Sequence, residues 1–160
     1  MKPGAGRYLV SIAAVGLGAA LFAVVFRRLL AAWYHAAFHA NTVVDAIAGS
    51  PPWLRVAVPL SGGILAGLVT VIRASRGQNV SNVMEAVALG HVRRSLRATL
   101  SRVAASWAAI AGGMSIGREG PLIEFGGSLG AVIGRLFDTP LARTRVLIAA
   151  GTAAGFAAAY

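Results

Sequence analysis

Cysteine is absent from this sequence, so disulfides, thiol catalysis and cysteine-ligated metals are excluded. Acidic residues are nearly absent too: 5 Asp or Glu face 15 Lys or Arg among 160 residues, a net charge of +10. Charge of either sign is scarce at 12% of residues, where a soluble domain carries about 25%. A net positive charge would suit nucleic acid only if it formed a basic patch on a polar surface. Here the arginines instead punctuate apolar runs, as the loops of a helical membrane protein do. With 57% of residues hydrophobic and 20 glycines, the class expected is an all-α, multi-pass integral membrane protein in a lipid bilayer.

Lys2 and Arg7 precede Tyr8 to Phe26, an uncharged apolar run about as long as a spanning helix requires. The run is too long for the apolar body of a signal peptide, and helix-compatible residues continue through Trp33 and Tyr34. One long helix is expected, with those two aromatics at an interface. His35 and His39 share a helical face, and interfacial polarity explains them better than a metal site, because only Asp45 stands near. Asn41 to Pro52 reads as a loop closed by Ser50-Pro51-Pro52. Val56 to Ile72 is a second membrane segment, interrupted by Pro59 and Gly62-Gly63, with Gly63 and Gly67 as a packing face. Arg73 to Arg102 forms a basic connector, and the arginine bias puts it and the N-terminus in the cytoplasm. Val80 to Leu89 within it fits a short amphipathic or half-inserted helix. Val103 to Ile116 is apolar again. Leu122 to Phe137 is the next helix, with Gly126, Gly130 and Gly134 four apart as a ladder for close helix approach. Asp138 or Thr139 is placed to cap a last helix, Val146 to Tyr160. That helix stops without a polar flank, so the sequence is expected to continue beyond it.

Between these apolar segments lies Gly117-Arg118-Glu119-Gly120-Pro121, which sets two ionisable residues at or near membrane depth. Such groups are costly there and usually functional. Gly120-Pro121 cannot continue a helix arriving from the N-terminal side, but Pro121 suits the first turn of a new one. A helix N-terminus offers unpaired N–H groups and the positive end of the dipole, together an anion site. Broken membrane helices use such ends to hold anionic substrates. An ionised Glu119 would fill the anion position itself, and a protonated or displaced one would vacate it. Two readings of Glu119 stand side by side: a gate built on charge competition, or a carboxylate paired with an arginine at the membrane surface.

Gly117 to Pro121, followed by Glu124-Phe125-Gly126-Gly127-Ser128-Leu129-Gly130, resembles the signature of the chloride channel/transporter (ClC) family. The similarity runs from the long first helix to Gly151-Thr152-Ala153-Ala154-Gly155-Phe156-Ala157. It implies an all-α membrane fold with broken and re-entrant helices, residues 1–160 being the leading part of the first inverted repeat, without a separate soluble domain. It implies transport of chloride or a similar small anion, as a voltage-gated channel or a proton-coupled antiporter, with no cofactor. By that resemblance Glu119 is the gate, and Gly117, Arg118 and Gly120 form the anion-binding loop. The family's upstream motif, Gly-Ser-Gly-Ile-Pro, corresponds here to Gly77-Gln78-Asn79-Val80-Ser81. Gln78 stands at the position of the anion-coordinating serine, and an amide also donates hydrogen bonds. Ser81 alternatively caps the short helix that follows. A homodimer in the full-length protein and a bacterial inner membrane are further implications. A competing reading makes the chain a non-transporting accessory membrane subunit whose glycine faces serve association with another polypeptide. An intramembrane enzyme is disfavoured, since no Ser–His or paired-carboxylate constellation is evident.

Overall fold

The computed structural model describes residues 5–40, 42–72 and 96–160. Six helices occur among them: α1 (Ala5–Phe38), α2 (Val43–Ala48), α3 (Pro52–Ile72), α4 (Leu96–Ala111), α5 (Glu119–Leu136) and α6 (Leu141–Ala157). Val80 to Leu89 and Gln78 lie outside the described residues. The segments Gly6–Ala48 and Pro52–Val69 are long and apolar enough to cross a membrane.

The long first helix is present as expected. Its 34 residues extend about 50 Å at 1.5 Å per residue, more than the ~30 Å apolar thickness of a bilayer. Ser11, Val15, Ala19, Ala23, Phe26, Leu30 and Tyr34 are its buried residues, three or four apart, and they form one stripe against the other helices. Leucines and valines such as Leu17, Leu21 and Val25 occupy the opposite, exposed side.

Asn41 to Pro52 is more than a loop, because it contains α2. Thr42 caps that helix: its Oγ1 accepts from the Asp45 amide at 3.1 Å and donates to the Asp45 carboxylate at 2.8 Å. Arg55 then donates to the carbonyls of Ala48 and Ser50, tying the start of α3 to the end of α2. α3 begins at Pro52 and runs without interruption through Pro59 and Gly62-Gly63. Pro51-Pro52 suits a helix start because the missing N–H has no intrahelical partner there. The close approach on α3 comes from Gly62, against Gly112, and not from the expected pair Gly63 and Gly67. A methyl on either Gly62 or Gly112 would overlap the other's backbone.

α4 starts at Leu96, earlier than the apolar run at Val103, so Arg97 and Arg102 belong to a helix and not to the connector. Arg102 is tolerated because it pairs with the buried Glu124 of α5. A buried Thr99–Ser128 hydroxyl pair at 2.8 Å crosses the same two helices. Rising numbers on α4 meet falling numbers on α5, so the two are antiparallel. α6 also starts early, at Leu141, which brings Arg143 and Arg145 into its first turns. Pro140 occupies the cap position, and neither Asp138 nor Thr139 caps with its side chain. Asp138 instead turns the chain at φ 47, and the Thr139 carbonyl accepts from Thr144.

The glycine ladder behaves as expected. A methyl on Gly126, Gly130 or Gly134 would strike Gly151, Leu147 or Thr144 of α6, and one on Gly155 would strike Leu122. These small residues let two backbones meet, the usual basis of helix association in lipid. Phe22 of α1 stacks on Phe125 of α5 at 3.7 Å between ring centroids, closing the three-helix centre.

Candidate functional site

α4 ends at Ala111 and α5 begins at Glu119, and the chain between them returns to the bundle in an irregular path. Gly113 takes φ +79, a left-handed conformation that glycine adopts without strain. Two carbonyls at the end of α4 receive side chains from α1. The Tyr34 hydroxyl donates to Ile110, and Trp33 Nε1 donates to Ala111 at 3.1 Å. Trp33 is 43% exposed and fits an interfacial anchor, whereas Tyr34 is buried and acts as an internal clamp. The two aromatics read as one interfacial pair therefore have separate roles.

Arg118 sits at the N-cap of α5 with helical backbone angles, and no side chain caps the helix. Glu119 is its first residue, with Gly120 and Pro121 in the same turn. The carboxylate thus lies inside the first turn, where it meets the positive end of the helix dipole. It folds back over Gly117, so that a methyl on Gly117 would collide with Glu119 Oε2. Glu119 Oε1 accepts a hydrogen bond from the Tyr160 hydroxyl at 3.2 Å.

Gly117, Arg118 and Glu119 line a cavity of about 440 Å³, facing Arg27, Leu30 and Tyr34 of α1. Thr42, Val43, Ile110, Met114 and Ile116 complete its wall. Arg27 and Arg118 thus line the same cavity as Glu119. Of the expected site residues, the structure gathers Gly117, Arg118 and Glu119 on one surface; Gly120 lies in the first turn, outside the cavity lining. Arg27, Tyr34 and Tyr160 escaped the reading of the sequence. Arg27, Ala31 and Tyr34 sit at helical spacing on one face, a signal that was present but carried no motif. His35 and His39 are both exposed, His39 at φ 53.

An all-helical bundle with two segments long and apolar enough to cross a membrane, and an ionisable group at an interior helix start, fits the class of integral membrane proteins. The chain belongs to the voltage gated chloride channel family, whose profile matches residues 62–160. Among similar curated proteins is a putative chloride channel protein, ClcB-like, of Ralstonia nicotianae, 35% identical over 154 residues, covering 91% of this chain and 36% of that protein. The voltage-gated ClC-type chloride channel ClcB of Salmonella typhi is 31% identical over 160 residues, covering 96% of this chain and 38% of its own length. ClcB of Escherichia coli O9:H4 matches at the same identity and coverage, 31% over 160 residues. The chain therefore spans a little over a third of the length of these relatives, 36–38%. No solved structure matches it.

Proposed function

We propose that this chain forms part of a chloride pathway through a bacterial inner membrane, with Glu119 as its gate. The observation that carries the reading is the position of the Glu119 carboxylate, at the uncapped start of α5 and on the wall of a cavity shared with Arg27 and Arg118. A helix start attracts one anionic group at a time. Ionised Glu119 supplies that group itself. Protonation removes its charge and frees the amides for chloride, so flux rises as pH falls. Gly117, Arg118 and Gly120 form the loop around the anion; the expectation at Gln78 falls outside the described residues.

The mode is that of a voltage-gated channel or of a proton-coupled antiporter, and counter-movement of protons separates the two. The Tyr160 hydroxyl and the carboxylate form a hydrogen-bonded pair that gives Glu119 a defined closed position. The ladder of glycines on α5 is filled by α6 of the same chain, so the feature that suggested an accessory subunit is already used. A homodimer within the bilayer is the assembly proposed.

The test is a chimera in which these residues replace the corresponding segment of the Ralstonia nicotianae relative, reconstituted in liposomes. Chloride flux should increase on acidification, and a chloride gradient that also drives protons the opposite way would assign the antiporter mode. Glu119→Gln should abolish the pH dependence and any proton movement. Unchanged, still pH-sensitive flux in that variant would remove Glu119 from the gate. Flux without counter-moving protons in the unmodified chimera would assign the channel mode instead.

A further inference from the structure

The cavity beside Glu119 contains one charged group that the proposed gate leaves unused. Arg27 reaches its wall from α1, far from the motif in sequence. Locally the buried stripe of α1 runs through Ala23, Phe26, Leu30 and Tyr34. At about 100° per residue, Arg27 stands roughly 55° from the centre of that stripe and Arg28 roughly 155°. The spacing therefore carries Arg27 to the edge of the bundle and Arg28 to the outside, and Arg28 is absent from the cavity wall. Both side chains are exposed. Arg27 makes no ion pair and no hydrogen bond among the described residues. Glu119, on the same wall, takes the Tyr160 hydroxyl instead of a guanidinium. A cation and a carboxylate thus share a cavity of about 440 Å³ without closing on each other.

We infer that Arg27 holds a small anion in this cavity, beside the Glu119 carboxylate, and so sets the chloride concentration at which the pathway fills. A guanidinium stays charged throughout the working pH range and carries five N–H donors. Arg118 lines the same wall and adds to the attraction. Leu30, Ile110, Met114 and Ile116 make much of the remaining wall apolar, which strengthens the attraction compared with open water. The volume is many times the ~30 Å³ of a water molecule, so the anion enters with part of its hydration shell. This is a waiting position, from which the anion moves to the start of α5 when the carboxylate leaves. The other role open to an arginine here, reaching a lipid headgroup, would put no charge in the pathway. Arg27 on the cavity wall, with Arg28 absent from it, favours the anion.

The inference deepens the chloride pathway proposed above and rests on it, and the experiment separates the two. Chloride flux is measured in the liposome chimera across chloride concentrations at constant ionic strength, with gluconate as the balancing anion. Arg27→Gln should raise the chloride concentration for half-maximal flux by about twofold to fivefold, the range of an exposed ion pair, and leave the flux at saturating chloride unchanged. Arg27→Lys keeps the charge and should restore most of the difference, while Arg28→Gln should not move the curve. The Arg27→Gln shift should also appear in the Glu119→Gln background. Flux that stays pH-sensitive in Glu119→Gln would overturn the gate and leave the Arg27 shift readable, and a folded chimera that carries no chloride would remove the pathway and the anion position with it. If Arg27→Gln is lost from the membrane, Arg27→Cys is modified after reconstitution, in a chimera freed of other cysteines. A reagent that adds a positive group should restore the low half-saturation concentration, and one that adds a negative group should raise it further. An unmoved curve in Arg27→Gln, an equal shift in Arg28→Gln, or equal effects of the two reagents would each overturn the anion position at Arg27.

Discussion

Glu119 touches two groups, and changing either should weaken the closed position of the gate. Gly117 leaves the space into which the carboxylate folds, and alanine there would put a methyl where Oε2 lies. Because the obstacle is the far end of a flexible side chain, Gly117→Ala should displace the carboxylate at a cost within about 0.5 kcal/mol of stability. Chloride flux at neutral pH should then rise in the liposome chimera and depend less on acid. Flux and pH profile equal to the unmodified protein would show that the closed position does not need the space above Gly117. Tyr160→Phe removes the donor to Oε1. A net hydrogen bond is worth roughly 0.5–1.5 kcal/mol, so the closed-to-open ratio should fall by about twofold to thirteenfold, read as higher chloride flux at neutral pH. Tyr34→Phe acts differently, since it leaves the buried Ile110 carbonyl without its side-chain donor. The Ile110 carbonyl keeps the Gly113 amide, so the loss should be about 0.5–1.5 kcal/mol, read as a lower unfolding midpoint.

Helix pairs carry the next set of expectations. Gly130→Ala would overlap the Leu147 backbone, so α5 and α6 must separate, at a cost on the order of 1–3 kcal/mol. Gly16 provides the control, because a methyl there meets nothing within 4 Å. Gly16→Ala should be neutral or stabilising by about 0.5–1 kcal/mol, as for alanine replacing glycine in any helix interior. Thermal unfolding of both variants checks the pair, and similar midpoints would show that α5 and α6 do not meet at Gly130. Between α4 and α5 the Arg102–Glu124 pair is the critical link, with the side chains 17% and 9% exposed. Glu124→Gln leaves Arg102 uncompensated and should cost about 3–5 kcal/mol, while exchanging the two residues should restore part of that loss.

At the scale of the whole molecule, the antiparallel order of helices gives the bundle two distinct ends. The starts of α1, α4 and α6 and the end of α5 share one; the loop before Glu119 shares the other with the end of α6. The positive-inside rule predicts the first end on the cytoplasmic side and the second on the opposite side. Because the sequence holds no cysteine, single-cysteine labelling tests this without background. A cysteine at position 7 or 143 should react only after the inner membrane is permeabilised, and one at position 118 should react in intact spheroplasts. Labelling of all three from the same side would contradict the arrangement.

Much of this was legible before any coordinates. Apolar runs of spanning length, the break at Gly120-Pro121 and the four-residue glycine spacing are local patterns, and they located the long helix, the helix start at the motif and the α5–α6 contact. Helix boundaries were less legible wherever a charge stood inside an apolar run. Arg102 and Arg145 look like connector residues until a partner or a boundary is known, and Glu124 lies 22 residues from Arg102 in sequence. The motif named Glu119 but could not name Arg27, Tyr34 or Tyr160, which reach the same region from other helices. Local backbone chemistry, fixed by neighbours in sequence, was set by the sequence itself: a helix start at Gly120-Pro121 with a carboxylate just before it, which the structure draws into the first turn. Which groups face that carboxylate depends on how antiparallel helices cross, and only the tertiary structure decided it.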